Sequence, residues 1–170
     1  MRCNGLISRQ FTRTFPWIAM IMILGFPMLA SSQEAEWIWW ANHEKNAVPK
    51  TDCHFRKSFT TVHPESCRIE IVADDEFALF VNGRRIGEGN HSKRLYSFNV
   101  STHIKGGSNT IAVWVQNRTG STAALAARVM VKERDGGWVS HSTNDSWLAN
   151  LDALPLWNTT VYSDRRWNHA

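Results

Sequence analysis

The segment ADDEFALFVNGRRIGEG, Ala73 to Gly89, sets the fold class. Three acids, Asp74, Asp75 and Glu76, stand ahead of the apolar run Phe77–Val81, and that run stops at Asn82-Gly83. Both central residues of a type I′ turn need positive φ, which Asn tolerates and Gly adopts without strain, so this pair is a strong hairpin signal. Asn82 and Gly83 are therefore read as structural turn residues joining two antiparallel strands. The run FALFV is apolar on both faces, the pattern of an interior strand.

Outward from this hairpin the apolar residues keep a period of two. CRIEIVA puts Ile69, Ile71 and Ala73 on one face, and TIAVWVQ does the same with Ile111, Val113 and Val115. ALAARVMVKE sets Leu125, Ala127, Val129 and Val131 against Ala126, Arg128, Met130 and Lys132. Alternation of this length marks half-buried strands. Gly87 and Gly89, Gly106-Gly107 and Gly136-Gly137 punctuate the chain at turn-like intervals. No stretch has the periodicity of an amphipathic helix. The expected class is all-β, an antiparallel β-sandwich or jelly roll.

The N-terminus reads differently. Arg2, Arg9 and Arg13 occur without any acid, ahead of the apolar run Trp17–Leu29 and the small residues Ala30, Ser31 and Ser32. This is the composition of a secretory signal peptide, expected over residues 1–32. The apolar run is shorter than the ~20 residues of a membrane span. Residues 33–170 then form one secreted, periplasmic or cell-surface module, with no membrane contact after cleavage. The three leader arginines account for most of the net charge of +4, so the remainder is close to neutral and a nucleic-acid surface is rejected. Outside the leader the cysteines are Cys53 and Cys67. Export favours a disulfide between them, and the alternative is a pair of buried free thiols on neighbouring strands.

None of the seven histidines stands at a zinc-ligand spacing, and there is no phosphate-binding glycine loop or nucleophile elbow. Strand alternation would send Asp74 and Asp75 to opposite faces, which excludes the facing carboxylates of glycoside hydrolysis. Structural calcium needs six to eight oxygens, and the spacing of these acids does not support it. No catalytic residue, metal or cofactor is expected; an aspartate at a strand entry is read as capping backbone N–H groups of the turn. Trp138, Trp147, Trp157 and Trp167 recur as if one stood in each strand, most of them buried.

FRKSF (Phe55–Phe59), IVADDEFALFVNGRRIGEG and YSFNVSTHIKGGSNTIAVWVQN together resemble the galactose-binding-like β-sandwich. Such modules stand in front of catalytic domains in rhamnosidases, β-galactosidase-type hydrolases and related exported proteins. The matching residues after the hairpin are Asn99-Val100-Ser101-Thr102, Ile104, Gly107, Asn109 and Ile111-Ala112-Val113, and the likeness runs from Trp37 to Val131. Residues 138–170 resemble the tail of such modules in large planctomycete-type proteins, ending just after Trp167 as if a last strand were missing. The resemblance implies a ligand site on loops at one end of the sandwich. Its candidates are Asp74, Asp75, Asn117 and Arg118, with Trp39 or Trp40 as a sugar platform. The implied function is an exported, non-catalytic carbohydrate-binding module, accessory to or derived from a carbohydrate-active enzyme. The alternative is a structural or protein-interaction sandwich that receives a partner domain or chain at an open sheet edge.

Overall fold

The computed structural model describes residues 34–41, 48–120 and 122–170, so the expected leader lies outside the described residues. The strands in chain order are β1 (Asp52–Thr61), β2 (Pro64–Asp74), β3 (Glu76–Val81), β4 (Arg84–Gly89) and β5 (Tyr96–Asn99). They continue with β6 (Gly107–Gln116), β7 (Ala124–Glu133), β8 (Trp138–Ser140), β9 (Leu148–Asn150) and β10 (Asn168–His169). One sheet has the order β10-β9-β1-β6-β3-β4, the other β5-β2-β7-β8, and every ladder is antiparallel. The molecule is an all-β sandwich.

The period-two residues build the layer between the sheets. Ile69 and Ile71 from β2, Leu125 and Val129 from β7, Ile111, Val113 and Val115 from β6, and Leu79 and Val81 from β3 are all fully buried. Cross-strand register keeps these sets together: Val115 pairs with Cys53 on one side and Phe77 on the other, and Val113 with Phe55 and Leu79. β3 is apolar on both faces because Phe77, Leu79 and Val81 enter the core while Phe80, on the outer face, packs against Trp157. Asn82 and Gly83 make the two-residue turn between β3 and β4, with φ of 51° and 85°. The Asn82 side chain ties this turn inward: its amide donates to His103 O and Asn109 Oδ1 at 2.8 Å, and its Oδ1 accepts from Thr110 N at 2.8 Å.

The C-terminal residues add strands to both sheets. β8 extends one sheet, β9 and β10 extend the other, and the chain between β9 and β10 covers the outer face of the six-stranded sheet. Trp157 meets His54 and Phe80 edge-on, at 4.7 and 5.6 Å between ring centroids, and stacks with Trp167 at 6.2 Å. Beneath this cover Arg56 is 2% exposed, an unusual place for a charge unless it is fully paired. Its guanidinium donates to the carbonyls of Trp157 and Thr159 and to Asp164, and lies 5.2 Å from the centre of the Tyr162 ring. The tryptophans are thus not one per strand: of Trp138, Trp147, Trp157 and Trp167, Trp138 alone lies within a strand, because the other three anchor connections. Trp147 is fully buried, its indole N–H donating to the carbonyls of His141 and Ser142.

The cysteines are free, buried thiols, and a disulfide between them does not form. Neither do they lie on neighbouring strands: β1 and β2 belong to different sheets. Cys53 is at the start of β1, far from the β1–β2 connection, whereas Cys67 is just beyond that connection. At about 3.3 Å per residue this offsets them by about 15 Å along the strands. Bridging needs Cα atoms within about 7 Å.

Candidate functional site

One end of the sandwich is built from the β2–β3 bend at Asp75, the β6–β7 loop from Asn117, and the residues before β1. Asp74 is the last residue of β2, and Asp75 already lies in the bend through which the chain crosses to the other sheet. Alternation holds only inside a strand, so the expectation that the two carboxyls point apart is corrected: they hydrogen-bond to each other. The peptide joining them is cis.

The loop from Asn117 closes over this pair. Asp75 Oδ2 accepts from the backbone N–H of Arg118 at 2.8 Å and of Thr119 at 3.0 Å, and from the Thr119 hydroxyl at 3.1 Å. Asp74 Oδ2 accepts from the Thr122 hydroxyl at 2.9 Å. Asp75 thus caps backbone N–H groups, but those of a loop more than forty residues along the chain rather than of its own turn. Arg118 is largely exposed, pairs with Glu76, and donates from Nε to Gln116 Oε1 at 2.8 Å. Gln116 in turn donates to Asp52 Oδ1 at 3.0 Å. Lys50, Asp52, Gln116 and Arg118 line an adjoining depression of about 260 Å³.

The carboxyls differ in character. Burial, and then the hydrogen bond with Asp75, push Asp74 above the ordinary value, against the Thr122 hydroxyl, which lowers it. Burial also pushes Asp75 up, but the combined hydrogen bonds from Thr119, Asp74 and Arg118 hold it below the ordinary value. Asp74 is thus the weaker acid of the pair and Asp75 the stronger. The ends of Asp74, Arg118, Thr119 and Thr122 offer polar groups toward solvent, a set able to accept from and donate to hydroxyls. Among the described residues no group of three or more His, Cys, Asp or Glu side chains is placed to hold a metal ion.

The other candidates are used elsewhere. Asn117 is 1% exposed; its amide donates to Pro49 O at 3.1 Å and its Oδ1 accepts from Gly120 N at 3.0 Å, so it folds the loop and presents nothing to a ligand. Trp39 is a core residue, tilted against Phe55 at 5.6 Å, and is not a platform. Trp40 is partly buried against the core, with its backbone in hydrogen-bonding contact with the Cys53 thiol. Thr119 and Thr122 carry no individual signal in the sequence beyond the run of hydroxyl residues Thr119, Ser121 and Thr122 around Gly120 in a turn-forming loop.

No family model and no curated protein matches this chain. Solved structures do. An α-L-rhamnosidase from Streptomyces avermitilis, complexed with L-rhamnose, superposes with a TM-score of 0.74 at 21% identity over 79% of this chain. A lectin from Pleurotus ostreatus in complex with GalNAc gives 0.74 at 24% identity over 81%. A rhamnosidase of family GH78 from Bacillus sp. GL1 gives 0.65 at 21% identity over 81%. The chain spans 14%, 42% and 18% of those three chains respectively, so each match is to one part of a larger protein. The fold is an antiparallel β-sandwich shared with parts of those rhamnosidases and of that lectin.

Proposed function

We propose that this chain is an exported, non-catalytic carbohydrate-binding module, accessory to or derived from a carbohydrate-active enzyme, with its ligand site at the Asp74–Asp75 end. The observation that carries the reading is the convergence of Asp74, Asp75, Arg118, Thr119 and Thr122, from two loops distant in sequence, beside an open depression. Fixed carboxylate oxygens and an exposed guanidinium are what recognition of vicinal sugar hydroxyls needs. The neighbours support the substrate class, since one is a sugar-binding lectin and others are parts of rhamnosidases. The two carboxyls touch, whereas hydrolysis needs them about 5 to 10 Å apart across a glycosidic bond, which favours binding over catalysis. A glycan array probed with residues 33–170 tests this: binding to at least one plant, algal or microbial glycan, lost in Asp75→Ala with the fold intact, is expected. No binding to any glycan refutes it.

A second reading, a protein-interaction module, draws on the exposed Leu154, Leu156 and Val161 of the C-terminal cover, at 67%, 64% and 81% exposure. Exposed large apolar side chains form a partner surface where they adjoin one another. Sedimentation separates the readings, since a stable monomer that binds glycan supports the first and concentration-dependent association the second.

A further inference from the structure

A second concavity, larger than the loop-end depression, lies elsewhere among the described residues. It is a trough of about 500 Å³ on the outer face of the β5-β2-β7-β8 sheet, the face turned away from the core. Register assembles it row by row. Asn99, Arg68 and Met130 lie across from one another, Glu70 and Arg128 form the next row, and Lys132 and Trp138 the row on the other side. Met130 is half-buried in the floor, and Trp138 on the edge strand is 50% exposed.

Three properties coincide here. Arg68 and Arg128 occupy diagonal positions on adjacent strands, so their Cβ atoms stand about 7–8 Å apart. Arg68 has no ion-pair partner among the described residues, and Arg128 makes only the longest ion pair among them, 4.0 Å to Glu70, which also lines the trough. An indole face and a thioether share the trough with them. A guanidinium fork matches a planar carboxylate, and an indole covers the C–H face of a pyranose. A free anion would leave Trp138 unused, and a neutral sugar would leave the arginines unused. A ring that carries its own carboxylate uses both.

We propose that this sheet face is a second saccharide site, taking a uronate-bearing polysaccharide laid across Trp138 with its carboxylates on Arg68 and Arg128. It stands apart from the loop end and does not depend on that site binding sugar. Affinity electrophoresis of residues 33–170 in gels containing polygalacturonate, alginate or hyaluronate is the test, with dextran sulfate as a charge control. At least one uronate gel should retard the protein strongly. Arg68→Gln with Arg128→Gln, and separately Trp138→Ala, should each weaken that retention about tenfold or more. These exposed positions should leave the melting temperature unchanged, and Asp75→Ala should leave uronate retention intact. No retardation by any of the three uronates overturns the proposal. So does retardation matched by dextran sulfate and indifferent to Trp138→Ala, which would be ion exchange alone.

Discussion

Arg56→Met tests what holds the C-terminal cover on the six-stranded sheet. The wild-type guanidinium serves three acceptors under the cover, the carbonyls of Trp157 and Thr159 and the Asp164 carboxylate, the last two at 3.1 Å. It also lies 5.2 and 5.9 Å from the Tyr162 and Trp167 ring centres. Methionine keeps the apolar stem and deletes every donor. A hydrogen bond to a charged group contributes about 1.5–3 kcal/mol, and an abandoned buried carbonyl costs about 1–3 kcal/mol. Asp164 is 26% exposed and can rehydrate, which offsets part of the loss. The expected net loss is about 2–4 kcal/mol, or roughly 10 °C in melting temperature for a domain of this size. Arg56→Lys should fall between, because one ammonium cannot span the acceptors that a planar fork reaches. Urea unfolding gives the magnitude, and trypsin cleavage at the exposed Arg165 and Arg166 reports release of the cover. A loss below about 0.5 kcal/mol, within the range of an ordinary surface change, with unchanged cleavage would refute this account of the cover.

Other substitutions probe the rest of the framework. Gly83→Val places a β-branched residue at φ 85° with its Cβ 2.9 Å from Thr159 Cγ2, and should cost about 1–3 kcal/mol by urea unfolding, with Gly83→Asn milder. Carboxyl ¹³C titration should find Asp75 below and Asp74 above the ordinary 3.8. The stability from Asp75 is present above the unfolded value and lost as pH falls through its depressed pKa. Asp74 acts oppositely, favouring the fold as pH falls through its raised pKa, so Asp75→Asn should flatten the acid loss of stability and Asp74→Asn should not. Burial pushes the thiols of Cys53 and Cys67 up to about 12. In a Cys3→Ser chain neither should react with Ellman's reagent at pH 8 until the protein is unfolded.

The hairpin and the inner faces of β2, β3, β6 and β7 are legible in sequence because turn dihedrals and strand alternation are local. Ile69, Ile71, Val113 and Val129 announce their burial by spacing alone. What is illegible depends on chain crossings. Asp74 and Asp75 meet because a strand ends between them, a boundary one residue wide. Asn117 looked like a ligand and is buried, since the segment before β1 that occupies its amide lies nearly seventy residues away. The cysteines fell to opposite sheets for the same reason, because a strand's sheet is set by its partners. Arg56, in a strand that otherwise reads as ordinary alternation, gives no sign of the cover above it.

The most direct test of the central claim is an amide NMR titration of residues 33–170 with a panel of monosaccharides, L-rhamnose and GalNAc first. A sugar site at this end of the sandwich should give saturable shifts with at least one sugar, centred on Asp74–Glu76 and Arg118–Gly120 and abolished in Asp75→Ala. Saturable shifts that leave both loops untouched, or none with any sugar of the panel, would contradict it.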